Sequence, residues 1–169
     1  KETDQALLAE AKNGYSLEEA LIVIDPYGTS PLTAVAVFST EEEVGGTVTV
    51  KGKSSENDIT GTFEAAKDHI VPIYGLYNGD TTTVEITLDS GESASYEVTT
   101  EAVQADYGEI KTEVSDPDSY DYSNLTFLCS AMGSVYGVDA AGDIRFYTTI
   151  GGVLGVHQLE NGHLMMPAS

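Results

Sequence analysis

The feature that most constrains this chain is a series of short period-two segments, rich in Val, Ile, Thr and Tyr, between residues 20 and 99. Side chains that alternate in polarity suit a pleated strand with one buried face. The pattern predicts strands at 20–24, 33–38, 47–51, 58–63, 69–74, 82–88 and 93–99. Turn formers punctuate them: Pro26-Tyr27-Gly28, Gly45-Gly46, Asn78-Gly79-Asp80 and Asp89-Ser90-Gly91. Short strands at such regular spacing imply an antiparallel β-sandwich of immunoglobulin or fibronectin type. The tryptophan and the cysteine pair of antibody domains are absent, so only the architecture is implied.

Two other regions flank this block. Ala6, Leu7, Leu8, Ala9 and Ala11 are good helix formers, and Asn13-Gly14 supplies a stop, so a short helix is expected over 4–13. Residues 101–124 hold Asp116-Pro117-Asp118, many acids and few aliphatics, and read as a linker. Asp116, Asp118 and Asp121 have some likeness to a calcium loop but lack its glycine and distal glutamate, so no metal site is assigned. From Leu125 the pattern changes, with strands expected at 125–130, 135–139, 144–149 and 163–166. The stretch from Val135 to Tyr147 fits a propeller hairpin, in which a strand ends in Asp, turns through Gly and returns with an aromatic. Leu159-Glu160-Asn161-Gly162-His163-Leu164 is a second hairpin, with Asn-Gly at its tight turn. Four strands amount to one blade, and a lone blade exposes both sheet faces.

The expected organisation is therefore all-β: a helical segment at 1–19, a β-sandwich at 20–100, an acidic linker at 101–124 and a first propeller blade at 125–169. The chain opens at Lys1 rather than Met and stops without a polar cap. That suggests a trimmed product, an export signal already removed and a propeller that continues.

Charge narrows the function. The 169 residues carry 28 acids and 7 bases, a formal net charge of -21. A field of that sign argues against nucleic acid or an anionic membrane as partner. No run approaches the roughly 18–20 apolar residues of a membrane-spanning helix. Cys129 is the only cysteine, so no internal disulfide can form; it lies in an apolar run and is expected to be buried and inert.

Several segments together resemble the N-terminal domain of the bacterial aryl-sulfate sulfotransferases. They run from Asp25 to Ala34 (DPYGTSPLTA), Val48 to Lys53 (VTVKGK), Asp58 to Thr60 (DIT) and His69 to Tyr77 (HIVPIYGLY). The resemblance covers 20–100, and the tail from Leu125 looks like the start of the family's propeller. It implies an exported enzyme made of a small sandwich and a six-bladed propeller. Such an enzyme moves a sulfuryl group from a phenolic sulfate ester to a phenol without 3′-phosphoadenosine-5′-phosphosulfate. A propeller histidine is the nucleophile, and the sandwich helps dimerisation in part of the family. The implied partners are the rest of the propeller, a second copy, and the phenolic substrates. Sulfuryl transfer, like phosphoryl transfer, wants cations around the equatorial oxygens and an in-line nucleophile.

This chain offers three histidines and one arginine for that task. His69 lies in a sandwich strand, His157 enters the last hairpin and His163 comes just after its turn. The family's active-site histidines lie farther upstream of the Asn-Gly turn, where this chain has residues such as Leu154. Arg145 sits in the aromatic return strand, where a structural role is expected. Tyr74, Tyr77, Tyr136 and Tyr147 are expected at sheet surfaces or the domain junction. No catalytic, cofactor-binding or metal residue is assigned, and this part is expected to be structural or dimerising. The alternative is a secreted, non-catalytic β-sandwich used for binding or assembly. A third reading, a sandwich-plus-propeller binder of carbohydrate or quinone cofactor, has no specific motif here.

Overall fold

The structure, a computed structural model, describes residues 2–103, 110–130, 133–153, 155–159 and 164–167. Its first element is a helix, α1 (Glu2–Ala11), with Glu2 and Asp4 in the positive first turn. It ends two residues earlier than the sequence suggests. There the Ser39 hydroxyl donates to the Ala11 carbonyl at 2.6 Å, and Gly14 takes a left-handed φ of 77°. The chain is otherwise all-β, as expected.

Strands β1 (Leu21–Ile24), β2 (Thr33–Val50), β3 (Ile59–Tyr74), β4 (Thr81–Leu88) and β5 (Ser93–Thr99) form one antiparallel sheet in the order β1-β2-β4-β5, with β3 on the other side of β2. Two long strands let this sheet fold back on itself. Residues 34–37 of β2 pair with β1, whereas residues 46–50 pair with β4, and β3 accompanies β2 along both stretches. Ala34, Ala36, Phe38, Val71 and Ile73 from one half and Val48, Val50, Val84, Ile86 and Leu88 from the other share a single core. The result is the expected sandwich, with both layers built on the β2–β3 hairpin.

Sequence alone splits that hairpin into four strands. The structure corrects this: 33–38 and 47–51 belong to β2, and 58–63 and 69–74 belong to β3. Gly45-Gly46 is not a turn but a bend inside β2, where the register shifts. A Cβ on Gly46 would lie 2.7 Å from the Phe63 ring and would meet the Thr87 carbonyl. The glycines are there for close backbone approach rather than for chain reversal.

Residues 33–38 are all buried, on both faces. Ala34, Ala36 and Phe38 point into the sandwich, while Val35 and Val37 pack outward against Leu7 and Ala11 of α1. Covering by the helix explains why the run Thr-Ala-Val-Ala-Val-Phe lacks polar alternation. Across the sandwich the Tyr96 hydroxyl donates to the Leu17 carbonyl, and burial, aided by Glu18, pushes that phenol up to about 12.

The second sheet contains β6 (Thr126–Cys129), β7 (Val135–Val138) and β8 (Ile144–Thr148), in that order. A separate two-stranded ribbon pairs β9 (His157–Gln158) with β10 (Leu164–Met165). The fourth strand of the expected leaf thus joins β9 rather than the three-stranded sheet. Gly151, Gly152 and Gly155 lie between, and Gly152 has a φ of 71° that no strand continues through. The expectation that both faces of the tail lie open is also corrected. β7 is wholly buried, and Val138 and Ile144 belong to the sandwich core. Among the described strands of the tail, the exposed positions fall on the outer strand β6 and the ribbon, and Ile150 in the loop after β8 is exposed as well. No helix among the described residues is long and apolar enough to cross a membrane.

Candidate functional site at the sheet junction

A cluster of buried and half-buried polar groups forms the seam between the sandwich and the second sheet. At its centre is Arg145, the chain's only arginine, with 0% exposure. It enters from β8, flanked by the buried Ile144 and the half-buried Phe146. Nε donates to the Gly75 carbonyl at 2.8 Å and Nη1 to that of Asn57. Nη2 reaches the carbonyls of Val50 at 3.4 Å and Lys51 at 3.3 Å. The Tyr77 ring lies beneath, its centroid 4.4 Å from the guanidinium carbon. No carboxylate among the described residues is within ion-pair distance. Burial pulls the guanidinium below its ordinary range, while Tyr77, Asp139, Asp58 and Asp143 pull the other way through space.

Tyr77 ties the seam a second time. Its hydroxyl donates to Asp139 Oδ2 at 3.2 Å and accepts from the Lys53 amide at 2.9 Å. Burial raises its pKa. Asp139 also shapes the β7–β8 turn, because its Oδ1 accepts the amides of Ala141 and Asp143 at 3.0 Å each. Outside these lies the Lys53–Asp143 ion pair at 2.8 Å, and the Asn78 amide donates to the Ile144 carbonyl at 3.1 Å. A shallow polar cleft of about 220 Å³, lined by Lys53, Tyr77, Asn78, Asp80, Asp143 and Ile144, opens here.

The far end of β8 is held by the loop after β1. Asp25 adopts a left-handed φ of 46°, and its Oδ1 accepts the amides of Thr29 and Ser30 at 2.9 Å each. This conformation, tolerable for Asp, presents two carbonyls outward. Thr29 takes the Thr149 amide at 2.9 Å and Gly28 takes the Thr149 hydroxyl at 3.3 Å. The acidic stretch joins in as well: the Thr112 hydroxyl donates to the Ala140 carbonyl at 2.7 Å, and Val103 and Ile110 pack on the core.

The two described histidines, His69 and His157, do not meet at this seam. His69 is buried in β3, stacked on Phe38 at 4.5 Å with Nε2 3.1 Å from the Thr40 hydroxyl, and desolvation lowers its pKa. His157 is exposed on β9 opposite Met165. His163, Leu154 and the Asn161-Gly162 turn lie outside the described residues. Cys129 is a correction: it is exposed on the outer strand β6, its thiol 3.3 Å from the Val153 carbonyl, because only β7 pairs with that strand. Asp121 is engaged locally, accepting from Ser123 and Asn124. Among the described residues no three His, Cys, Asp or Glu side chains converge as metal ligands. Tyr77 is at the junction, Tyr136 stacks on Tyr147 within the second sheet at 5.4 Å, and Tyr74 is exposed.

Sequence reasoning placed Arg145 in a structural role but gave it no partners. The available signal was a single arginine inside the apolar run Ile144-Arg145-Phe146-Tyr147 of an acidic chain. Its acceptors are backbone carbonyls 70 to 95 residues away, which no side-chain pattern announces.

A family model described as the arylsulfotransferase Ig-like domain matches residues 21–106, just over half of the chain. No curated protein matches it.

Proposed function

This chain belongs to the arylsulfotransferase Ig-like domain family, and on that premise we propose that it is the N-terminal part of an aryl-sulfate sulfotransferase whose chemistry is carried by propeller blades beyond Ser169. The whole enzyme moves a sulfuryl group from a phenolic sulfate ester to a phenol through a sulfated histidine of those blades. The part described above is the scaffold on which the propeller starts, with β6–β8 as its first strands. Its other partner is a second copy, through the sandwich, and it works outside the cytoplasm after removal of an export signal.

The observation that carries this reading is the engagement of Arg145. A sulfuryl-transfer site needs cations free to face the equatorial oxygens. The one arginine here has its donors turned to backbone carbonyls of the sandwich and no exposed surface. His69 is similarly committed to a packed, neutral position. The net charge of -21 repels a sulfate ester. The seam therefore supports a holding role rather than a reacting one.

The test is an assay with 4-nitrophenyl sulfate as donor and phenol as acceptor. The 169-residue chain should release no 4-nitrophenol above buffer, and the product of the uninterrupted coding sequence should release it with phenol-dependent turnover. Turnover by the short chain would overturn the placement of the site. Failure of the long product across a panel of aryl sulfates would overturn the sulfotransferase reading.

A further inference from the structure

We propose that the sandwich carries a preformed guanidinium-binding socket, of which the Arg145 side chain is the tethered ligand. Among the described residues, the hydrogen-bond acceptors of the guanidinium and the ring beneath it come from the sandwich: the carbonyls of Val50, Lys51, Asn57 and Gly75 and the ring of Tyr77. Each is fixed by something other than Arg145. Val50 ends β2, pairing with Ile59 and Val84. Asn57 closes a short 3-10 turn (Ser55–Asn57), and the next residue, Asp58, holds the Gly52 amide at 2.8 Å and the Lys51 ammonium at 2.9 Å. Gly75 comes directly after β3 with a φ of 89°, and a Cβ there would strike Ile59 and stand 3.8 Å from Arg145 Nε. The next residue, Leu76, donates its amide to the Leu32 carbonyl at 3.2 Å. Tyr77 is anchored through its amide to the Thr82 hydroxyl at 2.9 Å.

The chemistry of the socket selects its ligand. Neutral carbonyls around a flat aromatic floor suit a planar cation with donors spread in one plane. An ammonium has three donors in a tetrahedral cone, is more strongly hydrated, and cannot address Gly75, Asn57 and Lys51 together. The charge is balanced at one remove by Asp58, Asp139 and Asp143 instead of by a contact ion pair. The ligand class is thus an alkylguanidinium. The segments Val48–Lys53, Asp58–Thr60 and His69–Tyr77, which stand out in the sequence, supply or brace the socket. Its readout is thermal stability, so it stands or falls separately from the sulfotransferase reading.

The experiment is chemical rescue. Arg145→Ala removes the equivalent of an ethylguanidinium and leaves the socket empty. Its Tm should fall by roughly 10 °C, the scale expected when one side of a buried polar cluster is deleted. Millimolar N-ethylguanidinium should raise the Tm of this variant saturably and leave the unsubstituted chain unmoved, while ethylammonium at equal ionic strength should do nothing. Equal rescue by both cations, or none for the folded variant, would overturn the proposal. Arg145→Lys decides the matter where the alanine variant fails to fold. It should melt several degrees below the unsubstituted chain, and a lysine variant of equal Tm would also overturn it.

Discussion

The sandwich and the second sheet bury their strands by different means. In the sandwich, residues 33–38 are covered on one face by the opposite layer and on the other by α1, and the contacts are almost wholly apolar. In the second sheet, β7 is equally buried, yet the groups that orient that sheet are polar: Arg145 among carbonyls, Tyr77 on Asp139, Lys53 on Asp143, and Thr149 on Gly28 and Thr29. Apolar burial is strong but indifferent to direction. Hydrogen bonds with fixed donors and acceptors specify an angle. The difference teaches that the first region is held together and the second is held in place.

That contrast can be broken most severely from the sandwich side. Phe38→Ala should cost about 3–5 kcal/mol, since it opens a cavity beside His69 and Phe63. Urea unfolding monitored by probes in both regions should show them lost together. If the second sheet melted separately, it would not depend on the sandwich. A smaller change sharpens the comparison from the other side. Tyr77→Phe keeps the ring under Arg145 but removes the hydroxyl shared by Asp139 and the Lys53 amide, at about 1–2 kcal/mol. Hydrogen exchange should quicken in β7 and β8 and stay unchanged in β4 and β5. Uniform quickening would mean that the seam is not a separate clamp.

The smallest effect is one of pH. Burial holds His69 below its ordinary value of 6.5, so the unfolded chain binds its proton more readily than the folded one. The associated stability is complete above 6.5 and is lost as pH falls through that value to the lower folded one. The urea midpoint should drop modestly over this interval, and His69→Phe should flatten that part of the profile. A midpoint that rose on acidification would reverse the assignment.

The reach of each physical cause decides how much of the fold and the seam was legible in the sequence. Alternation is local, so β4 and β5 were readable almost to the residue, and so was the all-β class. The helix was readable from propensity, but its end was set by Ser39, 28 residues from Ala11. Gly45-Gly46 misled because a glycine that reverses a chain and one that admits a neighbouring backbone are written alike. Cys129 misled because an apolar run does not say which strand will be outermost. At the seam, Arg145 could be located but its partners could not. They are main-chain oxygens that carry no residue signature and meet only after the β2–β3 hairpin has bent.

The long β3 has a further consequence. Among the described residues it has a strand neighbour on one side only, so its other flank carries no strand ladder along its 16 residues. Such a rim is a template for adding strands from other molecules. Pro72 interrupts it near one end and Glu64, Lys67 and Asp68 roughen its middle, and the excess of carboxylates raises the cost of stacking copies edge to edge along this strand. The acidity of this chain thus works against end-to-end polymerisation through that edge strand.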